Sequence, residues 1–156
     1  MSFIRRSRRP PRDPVNAALG FGYGVLTTEL TGAADAVGLD PQIGFLHGVR
    51  SGRPALALDV LEEFRAPLVD SLVMDCINRR ILQPDHFRQA EDHSVRLTDP
   101  GLRAFLHRLG QRLDAPLRLP GSRRPITWRK ALEVQAHRLA RHVLEPSLPY
   151  VPFLAR

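Results

Sequence analysis

Residues 14–37 read PVNAALGFGYGVLTTELTGAADAV, and residues 55–81 read ALALDVLEEFRAPLVDSLVMDCINRRI. In both stretches apolar residues recur three and four positions apart, which is the spacing of one face of an α-helix. Asp13 before Pro14 is typical of a helix start, and Gly38 is typical of a helix end. Pro67 predicts a kink near the middle of the second helix. Two long amphipathic helices therefore dominate the first half of the chain.

The elements predicted around these helices are shorter. The sequence indicates a short helix after Gln83, a brief strand at 94–97, a helix from Asp99 to about Leu113, a loop at 114–125 and a last helix at about 127–144. The predicted fold class is all-α, a helical bundle with at most one small β-hairpin. The predicted domain limits are a basic arm at 1–12, a helical domain at 13–145 and a Pro-rich tail at 146–156.

Composition excludes several classes of protein. Hydrophobic residues make up 43% of the chain, which is enough for a buried core and too many for a disordered tail. No run approaches the roughly 18 apolar residues of a membrane span, so we expect no membrane partner. The single Cys76 cannot form an intrachain disulfide, and no secretory signal is recognisable. We therefore expect a soluble protein of the cytoplasm.

Positive charge is concentrated at the two ends of the chain. The formal charge is +5 over residues 1–12, −6 over 13–100 and +8 over 101–156. Basic ends around an acidic centre are typical of a protein that grips phosphates and also binds cations, such as a nuclease. Solvated helix faces are the alternative. The predicted DNA-binding residues are Arg5, Arg6, Arg8, Arg9, Arg138 and Arg141.

One cluster of polar residues follows a short apolar segment. His47 ends that segment, and the helix beyond it carries Asp59, Glu62 and Glu63, three and four positions apart on overlapping sides of one turn. Such crowded carboxylates repel one another unless a cation is present. A His with carboxylates suits Mg²⁺ or Mn²⁺, or less well Zn²⁺ because no Cys is near. Solvated carboxylates and a His that caps a loop are the alternative interpretation.

The order of several longer motifs resembles one family. RSRRPPRDPV, GLDPQIGFLH, GRPALALD, LEEFR and the ending PYVPFLAR are together similar to the C-terminal helical domain of the CRISPR-associated spacer-acquisition endonuclease, the integrase subunit of the adaptation complex. The resemblance implies a DNA endonuclease and integrase dependent on Mg²⁺ or Mn²⁺. It also implies double-stranded DNA, a second copy of the chain and the smaller adaptation subunit as partners.

The family's site residues can be carried over by motif. The His of the GFLH motif is His47, and the acidic residue closing the DxxE motif is Glu62, so the resemblance implies that these two are catalytic metal ligands. Asp59, which opens the DxxE motif, is implied to be an auxiliary carboxylate.

The resemblance also predicts an incomplete site. Members of the family begin with a β-rich domain and carry a third ligand, a Glu, upstream of the RRPP stretch, and this sequence shows neither. We therefore expect either an incomplete enzyme or a catalytically inactive DNA-binding or assembly fragment. Glu29, Asp59 or Glu63 could in principle replace the missing ligand, although a salt bridge is the favoured role for Glu29.

Overall fold

The structure of the chain, a computed structural model, describes residues 6–7, 10–120, 122 and 124–154. The main helices are α1 (Pro14–Ala36), α2 (Ala55–Phe64), α3 (Ser71–Asn78), α4 (Asp99–Asp114) and α5 (Trp128–Leu144). Strands β1 (Phe87–Gln89) and β2 (Val95–Leu97) form one antiparallel pair, and β3 (Pro116–Leu117) and β4 (Ile126–Thr127) form another. The predominantly helical fold class is confirmed. The β3–β4 pair was not predicted, because its two-residue strands lie in and beside a stretch whose prolines indicated a loop.

The ends of α1 follow from residues that were recognisable in the sequence. The Asp13 side chain accepts a hydrogen bond from the Asn16 N–H at 2.9 Å, as an N-cap does. At the other end Gly38 has φ +79°, and the Leu39 N–H reaches the Ala34 carbonyl at 3.0 Å. This geometry closes the helix as a glycine C-cap does. The predicted bounds of α1 are therefore correct to within one residue.

The structure contains two compact units. The first comprises Met1–Gly24 and Leu68–Arg112, and the second comprises Val25–Pro67 and Leu113–Arg156. The predicted limits at residues 12, 13, 145 and 146 stay predictions. Within the described residues, no helix is long and apolar enough to cross a membrane.

Packing within the first unit explains why one of the four glycines in α1 has to be a glycine. A Cβ at Gly22 would lie 2.8 Å from Cγ1 of Val69 and 3.1 Å from the Phe105 ring, so this position needs a residue without a side chain. The Phe105 ring also packs edge-on against Phe21, with 5.5 Å between centroids. A Cβ at Gly20 would meet nothing within 4 Å. Close packing therefore accounts for Gly22 and not for its neighbour.

At Pro67, where the sequence predicts a kink, the helix widens into a π-helical turn. Residues Arg65–Asp70 form a π-helical turn that joins α2 to α3 without an intervening loop. Pro67 has no N–H to donate to the preceding turn, so the regular pattern of hydrogen bonds cannot continue through it. The apolar stripe predicted for this helix is buried on both sides of the turn, at Leu61, Phe64, Leu68, Leu72, Val73 and Cys76, whereas its last member, Ile77, is only partly buried.

Aromatic rings form the centre of the second unit. Phe64 of α2 is fully buried, and its ring stacks on Phe153 with centroids 4.4 Å apart. Trp128, the first residue of α5, packs against the same Phe153 ring at 5.7 Å. Thr127 caps α5 by accepting a hydrogen bond from the Lys130 N–H. This core ties α2 to α5 and to the segment that follows α5.

Candidate active site

Asp59 organises the loop that carries His47. From the first half of α2, its carboxylate accepts hydrogen bonds from the backbone N–H groups of Phe45, Leu46 and His47 at 2.6, 2.9 and 2.9 Å. The Nδ1 atom of the His47 ring lies 2.6 Å from Oδ1 of the same carboxylate. One side chain therefore fixes both the backbone and the ring of His47.

The turn before His47 requires a glycine. A Cβ at Gly44 would lie 2.8 Å from the Ala55 Cβ, from Oδ2 of Asp59 and from the His47 carbonyl oxygen. Real side chains do not tolerate such contacts, so any other residue would push the loop away from α2. The GFLH sequence thus combines a glycine for close approach with the three N–H groups that Asp59 binds.

These hydrogen bonds determine the ionisation of Asp59. Burial by itself would raise the pKa of this carboxyl group, whose side chain is only 8% exposed. The hydrogen bonds from the Leu46 N–H, the His47 ring and the Phe45 and His47 N–H groups outweigh burial, so the pKa lies below its ordinary value. Asp59 is therefore a carboxylate at neutral pH.

The Asp59 carboxylate also fixes the tautomer of His47. An ionised carboxylate can only accept, so Nδ1 of His47 carries the proton and Nε2 keeps its lone pair in the neutral ring. The side chain is 29% exposed, and Nε2 makes no hydrogen bond with the described residues. A histidine held in this way by a carboxylate is typical of metal sites.

Glu62 lies one turn further along α2 and faces solvent. Its side chain is 46% exposed, and both carboxylate oxygens accept from Nη1 of Arg65 at 3.1 and 3.2 Å. Because the carboxylate of this pair is exposed, the pair contributes little to stability. Glu62 is therefore the accessible carboxylate of the DxxE motif, in contrast to Asp59.

Glu63 has a structural partner that the sequence did not indicate. Its carboxylate accepts hydrogen bonds from the Tyr150 hydroxyl and from the Phe153 N–H, the latter at 2.6 Å. Gln135 of α5 donates through Nε2 to the Tyr150 oxygen at 2.7 Å and to the Val151 carbonyl at 2.9 Å. Burial, followed by the bond to Glu63, raises the pKa of Tyr150. Glu63 thus anchors the segment after α5.

The expected crowding of three carboxylates around one cation is not seen. Asp59, Glu62 and Glu63 each have different partners, and the described part of the chain contains no group of three or more His, Cys, Asp or Glu side chains placed to hold a metal ion. Glu29 forms the favoured salt bridge, with Nη1 of Arg129 at 3.0 Å, and Arg129 also pairs with Asp114 at 3.4 Å. Metal ligation by His47 and Glu62 stays a prediction.

The predicted DNA-binding arginines have different surroundings. Arg5, Arg8 and Arg9 lie outside the described residues. Arg6 donates from Nη1 to Oδ1 of Asn16 at 2.5 Å, and its guanidinium lies over the Tyr23 ring, 5.3 Å from the centroid. Arg138 donates to Oε1 of Gln135 at 3.3 Å, and Arg141 is exposed.

A cavity of about 260 Å³ lies beside Asp59. Its lining residues are Phe45, Leu46, Asp59, Val60, Glu63, Leu139, His142 and Tyr150. Phe45 is 68% exposed although it is aromatic and lies two residues from His47. The sequence placed this apolar segment ahead of His47 but gave no indication that its side chains face solvent.

The family model and the related sequences that match this chain belong to the same family. The model of the family "CRISPR associated protein Cas1" matches residues 1–111. A CRISPR-associated endonuclease Cas1 of Thermus thermophilus is 42% identical over 159 residues, covering 99% of this chain and 46% of the relative. A Cas4/Cas1 fusion of Geobacter sulfurreducens is also 42% identical, with 99% of this chain and 27% of the relative covered.

Solved structures agree with the sequence relatives. A Cas1 protein from Thermotoga maritima is similar with a TM-score of 0.78 and 30% identity, over 90% of this chain and 43% of that one. A casposase bound to an integration product has a TM-score of 0.81 and 28% identity, over 88% of this chain and 39% of that one. This chain spans less than half the length of these relatives and matches their C-terminal part. The chain belongs to the Cas1 family of CRISPR-associated proteins.

Proposed function

We propose that this chain is the catalytic C-terminal part of a metal-dependent DNA endonuclease and integrase of CRISPR spacer acquisition. The relatives are named CRISPR-associated endonucleases, which supports nuclease chemistry on this fold. The casposase relative, whose structure contains an integration product, supports strand transfer as the second half of the activity.

The single observation that carries the proposal is the pairing of His47 with Asp59. It leaves Nε2 as the ring nitrogen able to bind a cation, with its orientation fixed by the 2.6 Å contact at Nδ1. Glu62 supplies a carboxylate oxygen from the next turn of the same helix. Nitrogen and oxygen donors of this kind fit Mg²⁺ or Mn²⁺, and His47 and Glu62 are the residues that would hold the ion.

The residues of the site have separate roles in this proposal. A bound divalent ion would neutralise a non-bridging phosphate oxygen and align the attacking hydroxyl group or water. Glu62 would hold the ion in place of its ion pair with Arg65. Asp59 keeps His47 in the required tautomer. Arginines of the basic ends bind phosphates without reading sequence.

Two donors position an ion poorly, so the proposal includes a further ligand from a segment equivalent to the part of the relatives that this chain does not span. Partners of the whole protein are proposed to be double-stranded DNA, a second copy and the smaller adaptation subunit. The structure of a casposase with an integration product supports the DNA partner, and a "Partial Cas6-RT-Cas1--Cas2 complex" supports the smaller subunit. The absence of a three-residue metal group in the described part of the chain favours a second candidate, an inactive DNA-binding or assembly fragment.

Titration of the 156-residue chain with Mn²⁺, followed by imidazole ¹⁵N–¹H NMR, tests the proposed site without an activity assay. We expect the His47 signals to broaden before those of the other five histidines, because the Asp59 carboxylate holds the His47 ring and the same helix carries Glu62. Glu62→Gln should remove this selectivity. Glu91→Gln is the matched control at an exposed carboxylate of the first unit and should leave the selectivity unchanged. Equal broadening of all histidines, or no effect of Glu62→Gln, would contradict the assignment.

A further inference from the structure

A second cavity lies at the C-terminal end of α5. It has a volume of about 160 Å³ and is lined by Arg138, Arg141, His142, Leu148, Pro149 and Val151. The two arginines are three residues apart, so their side chains project from the same face of α5. The opposite wall is the segment that follows the helix, and none of the described residues that line the cavity is acidic.

The two guanidinium groups are not neutralised within the described part of the chain. Arg138 donates to the neutral Oε1 of Gln135 at 3.3 Å, and neither arginine forms a salt bridge with a described carboxylate. The nearby acids have other partners, since Glu133 pairs with Lys130 at 2.6 Å and Glu145 accepts from Ser147 at 3.3 Å. Two adjacent positive charges beside a cavity favour an anion as the occupant.

The walls of this cavity are held in place by hydrogen bonds. The Nδ1 atom of His142 lies 2.6 Å from the Leu148 carbonyl oxygen and holds the start of the segment against α5. Nε2 of Gln135 donates to the carbonyl oxygen of Val151, and Oε1 of Gln135 accepts from Arg138. One side chain therefore connects both walls. The cavity is therefore formed before any ligand binds, which reduces the ordering cost of binding.

We propose that this cavity binds one phosphodiester group of duplex DNA through Arg138 and Arg141, a proposal that rests on the proposed function. Guanidinium groups form charge-assisted, forked hydrogen bonds with phosphate oxygens. The rest of the lining is largely apolar, from Leu148, Pro149 and Val151. Contacts between arginine and phosphate do not depend on the identity of the bases. The cavity would hold the backbone of DNA at one fixed point on the second unit, in any sequence context.

The test compares two double variants of equal charge. Arg138→Gln with Arg141→Gln removes both cavity arginines, whereas Arg88→Gln with Arg103→Gln removes two exposed arginines of the first unit. Duplex affinity is measured for each chain between about 50 and 200 mM salt. We expect the cavity variant to lose at least tenfold in affinity, and the slope of log K against log salt to fall by about 1, as for one lost phosphate contact. The control should lose much less.

Side-chain Nε–H signals of Arg138 and Arg141 provide a second readout on the unaltered chain. Duplex DNA should shift both signals, and inorganic phosphate should shift them only weakly. Equal loss of affinity in the two double variants, or shifts with phosphate but none with DNA, would overturn the cavity proposal and leave the His47 site unaffected. Failure of the unaltered chain to bind duplex DNA at all would contradict both proposals. Arg141→Gln alone, at an exposed position, guards against a folding defect in the double variant.

Discussion

Phe64→Ala is expected to lower the free energy of unfolding by about 3–5 kcal/mol. The ring is fully buried in the second unit and stacks on Phe153, so its removal leaves a cavity and deprives Phe153 of a partner. A loss of this size is a large part of the total stability of a small domain. Chemical denaturation of the purified variant measures it directly.

Phe45→Ala is the matched control for this substitution, because Phe45 is the same residue type at 68% exposure. We expect it to change the free energy of unfolding by less than about 1 kcal/mol. A cost below about 1 kcal/mol for Phe64→Ala, or equal costs for the two variants, would mean that α2 presents a different face to the core. The direction assigned to Glu62 would then be wrong as well.

Asp59→Ala is expected to cost about 2–3 kcal/mol and to release the loop that carries His47. Three backbone N–H groups and the His47 ring lose their charged acceptor together. Thermal or chemical unfolding measures the cost, and faster amide exchange at residues 45–47 reports the loop. Glu62→Ala removes an exposed carboxylate from the same helix and should cost less than about 0.5 kcal/mol. Unchanged exchange at 45–47 in Asp59→Ala would contradict the assigned role.

The Asp59 contribution also has a defined pH dependence. Because the pKa of Asp59 is lower in the folded chain than its ordinary value, its contribution to stability is complete above about pH 4 and is lost as the pH falls through the lowered pKa. At pH 7, Asp59→Asn should lower the free energy of unfolding. Below about pH 4, the free energy of unfolding of this variant should fall less steeply with decreasing pH than that of the unaltered chain.

Local signals in the sequence predicted most of the helices. Asp13 and Gly38 set the ends of α1 through hydrogen bonds to nearby residues, and such contacts are visible in a short stretch of sequence. The core face of α1 is harder to predict at its C-terminal end, where Ala33, Ala34 and Ala36 are close together and Ala34 is the buried one of the three. Alanine fits either side of a helix, so apolar spacing alone could not set the phase there.

Longer-range contacts explain what the sequence did not predict at the site. His47 and Asp59 were assigned to one polar cluster, but the three backbone N–H bonds to Asp59 depend on how the 44–47 turn approaches α2. Glu63 contacts Tyr150 and Phe153, which lie 87 and 90 residues further along the chain. The aromatic residues within the PYVPFLAR ending were the available signal for a packed segment, and they were interpreted as a Pro-rich tail.

The measurement that tests the central claim most directly is Mn²⁺-dependent cleavage of duplex DNA by two proteins. One is the 156-residue chain, and the other is a chimera in which this chain replaces the matching part of the Thermus thermophilus relative, to which it is 42% identical. We predict little or no cleavage by the chain alone and metal-dependent cleavage by the chimera. His47→Ala and Glu62→Ala should each lower the chimera's rate by more than about 100-fold, because loss of an outer-shell partner already costs about 10–100-fold. Strong metal-dependent cleavage by the chain alone that persists in His47→Ala would contradict the account.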